Sequence, residues 1–207
     1  VKKLPNKMYA MAGLHPCSVK ENDNEELRAI EQQSSQREFA AIGETGLDFY
    51  LDSTFTKQQY ESLHTHADWA VQYKRPLVLH TRNAMQETID VVKSYHGKNL
   101  FGIFHCFGGT LEQAKDIIDS GFLLGIGGVI TYKNSGLAEV IKDIDTQNLV
   151  LETDAPYLAP APFRGKRNES SYLKYIVQKI AEVKNKTVEE VADQTTKNAT
   201  AIFSKNP

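Results

Sequence analysis

The chain has 207 residues, of which 41% are apolar and 24% charged, and a formal net charge of −2. That composition suits a single globular domain over residues 1–207 and excludes a protein that coats nucleic acid by bulk positive charge, while leaving room for a local basic patch. No apolar run nears the ~18–20 residues of a membrane span, and two cysteines are too few for a disulfide framework, so no membrane partner and a reduced, cytoplasmic setting are expected.

The sequence opens VKKLPNKMYAMAGLHP, without an initiator Met, and an N-terminal piece outside this sequence is therefore expected. Strand-like apolar runs then follow at 8–15, 38–50, 76–82, 100–109, 122–132 and 148–158. Helical patterns lie between several of them. Residues 21–36 carry Leu27 and Ile30, and residues 57–74 carry Leu63, Ala67 and Ala70 on one stripe. Thr110 heads TLEQAKDIIDSG like an N-cap, with Gly121 as its stop. Residues 169–184 and 187–203 read as two further helices, Asn168 standing where a cap would stand.

Strands that alternate with helices pair in parallel, because parallel neighbours need a crossover. Runs that are apolar almost throughout imply burial on both faces. A doubly wound sheet would gather its active residues at one switch point. Here candidate side chains end many runs: His15, Glu44 with Asp48, His80, His105, and Glu152 with Asp154. Only a barrel turns every strand end toward one mouth, so an α/β (β/α)₈ TIM-type barrel is expected. Such barrels run to about 250 residues, and this shortfall places the first one to two βα units outside the sequence.

Glu44, His80, His105 and Asp154 are expected one step past four different runs. Imidazole with carboxylate suits Zn²⁺, Mn²⁺, Ni²⁺ or Fe²⁺, and a buried carboxylate needs such a partner. The HTH at 64–66 is set aside, since residues two apart on a helix point in opposite directions. Cys106 neighbours His105 and is expected on the opposite strand face, as a packed thiol. The glycines of GIGGV at 125–129 lack the spacing of a nucleotide loop and fit close packing instead. Arg164, Lys166 and Arg167 form either a solvated turn or a phosphate clamp, which Arg82 could join. Alternation along a strand puts Glu152 on the side of Asp154, one layer deeper, as a support for a neighbouring ligand or arginine.

The stretches AGLHP, AIGETGLDFY, LVLHTRNA, IFHCFGGT, GIGGVIT, LVLETDAPYLAP and RGKRNE, together and in this order, resemble the TatD-type metal-dependent deoxyribonucleases. The resemblance implies phosphodiester hydrolysis with one or two divalent ions drawn from Zn, Mn, Mg, Ni or Fe, and a site in a barrel mouth rather than an open groove makes trimming of single-stranded DNA from an end the expected form. It implies that Glu44 bridges the ions, that His80 and His105 bind the second, and that Asp154 binds the first and handles the water's proton. His15 and the Arg164–Arg167 loop would hold substrate, and Asp48 would orient a neighbour. The family's first-strand His-x-His pair is missing, and Ser170 replaces the usual Pro, so a half-built metal site is expected. Two other readings stay open: a metal-dependent amidohydrolase acting on a cyclic amide or ester, and a non-catalytic barrel remnant that binds a partner.

Overall fold

The computed structural model describes residues 8–36 and 38–204. The chain divides into two compact units, the first running to Ile103 and taking in Phe203, the second spanning Phe104–Ile202. In the first, β1 (Met11–Ala12), β2 (Ala41–Asp48) and β3 (Leu77–Arg82) pair in parallel and in chain order. Helices α1 (Asp23–Gln36) and α2 (Thr56–Tyr73) supply the crossovers between them, and α3 (Met85–Lys93) follows β3. β4 (Gly102–Phe104) starts beside β3, where Leu77 N–H donates to Phe101 O at 2.9 Å.

In the second unit the chain leaving β4 lies beside β5 (Phe122–Ile126), with Phe107 N–H donating to Gly125 O at 2.9 Å. β5 pairs in parallel with β6 (Leu149–Leu151). Helices α4 (Leu111–Asp119), α5 (Leu137–Lys142), α6 (Leu173–Lys184) and α7 (Val188–Phe203) complete this unit. Among the described residues no helix is long and apolar enough to cross a membrane.

Side-chain chemistry accounts for these elements. β2 is buried at every position but Glu44, as expected of a strand covered on both faces. On α2 the stripe of Leu63, Ala67 and Ala70 is fully buried, and on α4 Thr110 and Gln113 form a reciprocal capping box. Phe104 and Phe122 meet edge to face at 5.5 Å in the second unit's core. There the buried Asn198 amide donates to Thr146 O at 2.8 Å and Leu149 O at 2.7 Å, tying α7 to the start of β6.

Three expectations are corrected. The run at 100–109 stops being strand at Phe104, because Cys106 takes a left-handed φ of 48° that no strand continues through. Cys106 is therefore not on a strand face at all. β6 likewise ends at Leu151, and Asn168 does not cap a helix: the chain enters a 3₁₀ turn (Ser170–Tyr172) whose N-cap is Glu169.

The HTH histidines do part company. His64 meets the Tyr95 hydroxyl at 3.1 Å, while His66 is buried, accepts from Leu14 N–H at 2.9 Å and lies 2.7 Å from Ser62 O. Burial pulls the His66 pKa down to about 4, only partly offset by the Ser62 carbonyl. The unfolded imidazole, near its ordinary value of about 6.5, takes up a proton that the folded one refuses. The stability contributed by neutral His66 is thus complete above about pH 6.5 and lost as pH falls toward about 4, to a total of about 3 kcal/mol. Urea unfolding at pH 7 and pH 4.5 checks this. Wild type should lose more stability between the two than His66→Gln, and equal losses would contradict it.

Candidate metal centre

Glu44 and His80 do not sit one step past their runs. They lie within β2 and β3, because pairing continues beyond them to Asp48 and Arg82. What aims Glu44 is a register shift: Ile42 pairs with Leu77 but Thr45 with Leu79, so β2 holds one extra residue at Gly43–Glu44. Such bulges turn a side chain away from the regular alternation. Gly43 makes the bulge possible, with φ of 134° and Val78 O only 2.5 Å from where a Cβ would stand.

His15 reaches the same place from another direction. After β1 the chain enters a 3₁₀ turn at Pro16, and His15 caps it, Nδ1 accepting from Cys17 N–H at 3.2 Å. Its Nε2 then lies 3.3 Å from His80 Nδ1 and 3.8 Å from Glu44 Oε1. His80 Nδ1 lies 3.1 Å from the same Glu44 oxygen. His15, Glu44 and His80 thus offer three ligand atoms within 4.8 Å of one another, all half-buried. His15, assigned above to substrate, stands in this trio.

The far side of His80 is held by Asp48, whose Oδ2 accepts from Nε2 at 3.0 Å. Asp48 is almost wholly buried and also accepts from Tyr50 N–H at 2.9 Å, Leu51 N–H at 3.1 Å and the Cys17 thiol at 3.3 Å. Burial favours protonating Asp48, but those donors outweigh it and hold its carboxyl below the usual range. The same contest on His80 ends the other way for its proton: burial opposes the charge, while Glu44 and Asp48 prevail and raise its pKa. Burial and the Asp48 carboxylate push the Cys17 thiol up to about 11, so it stays a protonated donor.

A second imidazole in the second unit is arranged alike. His105 Nδ1 lies 2.7 Å from Glu152 Oε2, and Nε2 lies 3.5 Å from Asp154 Oδ1. Both acids therefore face one ring, although β6 ends before them and strand alternation is not what aligns them. Glu152 is the more enclosed, with 16% of its side chain exposed against 37% for Asp154. It also accepts from Cys106 N–H at 2.6 Å, and Gly125 leaves room for it, since a Cβ there would overlap Glu152 Oε2. In each unit, then, one enclosed carboxylate grips one imidazole nitrogen and a more open carboxylate meets the other.

The arginines have aromatic seats. Arg82 lies over the Tyr50 ring at 3.8 Å in the first unit, and Arg164 over the Tyr132 ring at 4.4 Å in the second. Arg164, Lys166 and Arg167 are all exposed. Sequence reasoning missed Tyr50 and Tyr132 as arginine supports and Cys17 as a donor to Asp48. Only the adjacency of Cys17 to the His15–Pro16 turn could have signalled the last.

Two imidazoles and one carboxylate are the donor set of zinc, manganese, nickel or iron sites. An imidazole whose other nitrogen is bound by a buried carboxylate is the usual form of a metal-binding histidine. The trio fits a divalent cation on both counts.

A profile of the family described as TatD related DNase matches residues 1–204. The uncharacterized metal-dependent hydrolase YabD of Bacillus subtilis (strain 168) is 38% identical over 96% of this chain and 78% of its own length. The 3'-5' ssDNA/RNA exonuclease TatD of Erwinia tasmaniensis is 32% identical over 97% of this chain and 80% of its own length. Among solved structures, the TatD homolog YjjV of Escherichia coli K12 matches with a TM-score of 0.90 and 27% identity, over 99% of this chain and 81% of that one. The fold is accordingly that of the TatD-type α/β barrels. Matched by the profile along nearly its whole length and by relatives at 38% and 32% identity, this chain belongs to the TatD-related family of metal-dependent hydrolases.

Proposed function

We propose that the protein hydrolyses phosphodiester bonds, removing nucleotides from an end of single-stranded DNA with the help of one or two divalent cations. The observation that carries this reading is the trio of His15, Glu44 and His80 with its ligand atoms within 4.8 Å. The printed name of the Erwinia tasmaniensis relative supports the substrate class. When bound, a divalent cation supplies positive charge that eases the deprotonation of water and neutralises charge on a phosphodiester.

Glu44, His80 and His15 are the residues that would hold it in the first unit. Asp48 keeps His80 turned so that Nδ1 faces Glu44. In the second unit Asp154 is the open carboxylate, and it takes the proton of the attacking water. Glu152 fixes His105 so that Nε2 meets Asp154. Arg164, Lys166 and Arg167 bring exposed positive charge for phosphate oxygens, and Arg82 adds a guanidinium in the first unit.

Incubating the protein with single-stranded DNA labelled at its 5' end or, in parallel, its 3' end, and with Mn²⁺ or Mg²⁺, should give a ladder shortened one nucleotide at a time from one of the two labels, stopped by chelation. Intact DNA together with turnover of a dihydropyrimidine or a lactone would favour the amidohydrolase instead.

A further inference from the structure

Just past Asp154 the chain makes a loop that the reading above leaves partly unused. Tyr157 N–H donates to Asp154 O at 2.6 Å, so the tyrosine follows the acid through one tight turn. The loop is then closed by Asn168, itself buried: its N–H donates to Pro156 O at 3.0 Å and its amide to Tyr157 O at 2.6 Å. The Tyr132 hydroxyl donates to Ala159 O at 2.9 Å, and Ala161 N–H donates to Thr131 Oγ1 at 2.8 Å. A backbone pinned at so many points is ordered before any ligand arrives.

On this fixed backbone Tyr157 keeps its ring in solvent, 71% exposed. Phe163, on the same loop, instead stacks on Tyr172 at 4.5 Å and 12°. Leu158 beside Tyr157 is 40% exposed, so the loop leaves two neighbouring large side chains open to solvent. Beyond Asp154 the loop is basic: residues 155–167 contain Arg164, Lys166 and Arg167 and no acid, in a chain of net charge −2. An aromatic face on one loop with a run of exposed cations is the chemistry that holds single-stranded nucleic acid, the ring stacking on a base and the cations following phosphates. A duplex offers no free base face to such a ring.

We propose that Tyr157 is the stacking platform for a base of the single-stranded substrate, seated one turn from Asp154 so that the phosphate of the stacked nucleotide comes within reach of the water whose proton Asp154 takes. This rests on the nuclease reading of the same site. It extends that reading by naming a specificity residue: substrate is gripped by a base face, without regard to which base.

The test is fluorescence anisotropy of the full chain in EDTA with two labelled oligonucleotides, oligo(dT) and its counterpart whose terminal residues are abasic, followed by hydrolysis of both with Mn²⁺. Tyr157→Ala should weaken oligo(dT) binding by about 5- to 100-fold, the range of one base–aromatic stack, and Tyr157→Trp should restore it. The abasic strand should bind wild type and Tyr157→Ala equally. Unchanged oligo(dT) binding in Tyr157→Ala, or equal weakening of both strands, overturns the platform. If wild type hydrolyses oligo(dT) yet shows either pattern, the platform falls and the nuclease stands. If the base-dependent loss appears but no metal releases nucleotides, the platform stands and the nuclease reading falls.

Discussion

Asp154→Asn is expected to lower the rate of nucleotide release by about 10²–10⁴-fold, the usual contribution of a general base. The substitution keeps size and hydrogen-bonding shape while removing the capacity to take a proton. Glu152→Gln is expected to act differently. Glu152 meets His105 Nδ1 and Cys106 N–H with its two oxygens, and an amide can accept at only one of those places. The ring should then lose its fixed orientation, at a cost of about 10- to 100-fold in activity or cation affinity. Steady-state rates and calorimetric cation titrations on both variants separate the two. Equal, mild effects would show that the two acids share one role.

The second large effect is expected at Glu44. Glu44→Gln removes the one carboxylate of the trio and leaves the imidazoles of His15 and His80 in place. Cation affinity measured by calorimetry should drop by more than the roughly 10- to 100-fold typical of a supporting partner. Folding should be little changed, because Glu44 is the half-exposed member of an otherwise buried strand. His80→Ala is a poorer probe of the same point, since it also strips a partner from the buried Asp48. Undiminished cation affinity in Glu44→Gln would remove Glu44 from the site.

Much of this was legible in the chain because the signals were local. The runs at 38–50 and 76–82 form the long strands β2 and β3, and α4 is announced by the Thr110 capping box, whereas the run at 122–132 is strand only to Ile126 and turns into a 3₁₀ helix at Gly128–Thr131. Two helices went unseen. α3 begins at Met85 with Ala84 at its N-cap and no side-chain cap, and α5 is only six residues long, so neither carries a start signal or a long enough stripe. Strand ends were overdrawn at His105 and Glu152 because apolar content continues where the backbone has already turned, at Cys106 through a left-handed φ.

Site geometry was less legible than site membership. The ligand-type residues could be listed, but the bulge at Gly43–Glu44 depends on pairing with β3 and leaves only a glycine as its trace. The membership of His15 in the trio comes from a turn that folds it back over His80, a contact 65 residues apart in sequence. Expectations placed before residue 8 lie outside the described residues.

His15, Glu44 and His80 are expected to hold a divalent cation, with His80 binding through Nδ1 because Asp48 occupies Nε2. Anomalous diffraction from crystals grown with Zn²⁺ or Mn²⁺ tests it most directly. The expected result is a peak about 2.0–2.2 Å from His80 Nδ1 and from a Glu44 carboxylate oxygen, with His15 Nε2 beside it and the Asp48 contact intact. A cation bound through His80 Nε2, or no peak at the trio while the protein is saturated with metal elsewhere, would contradict it.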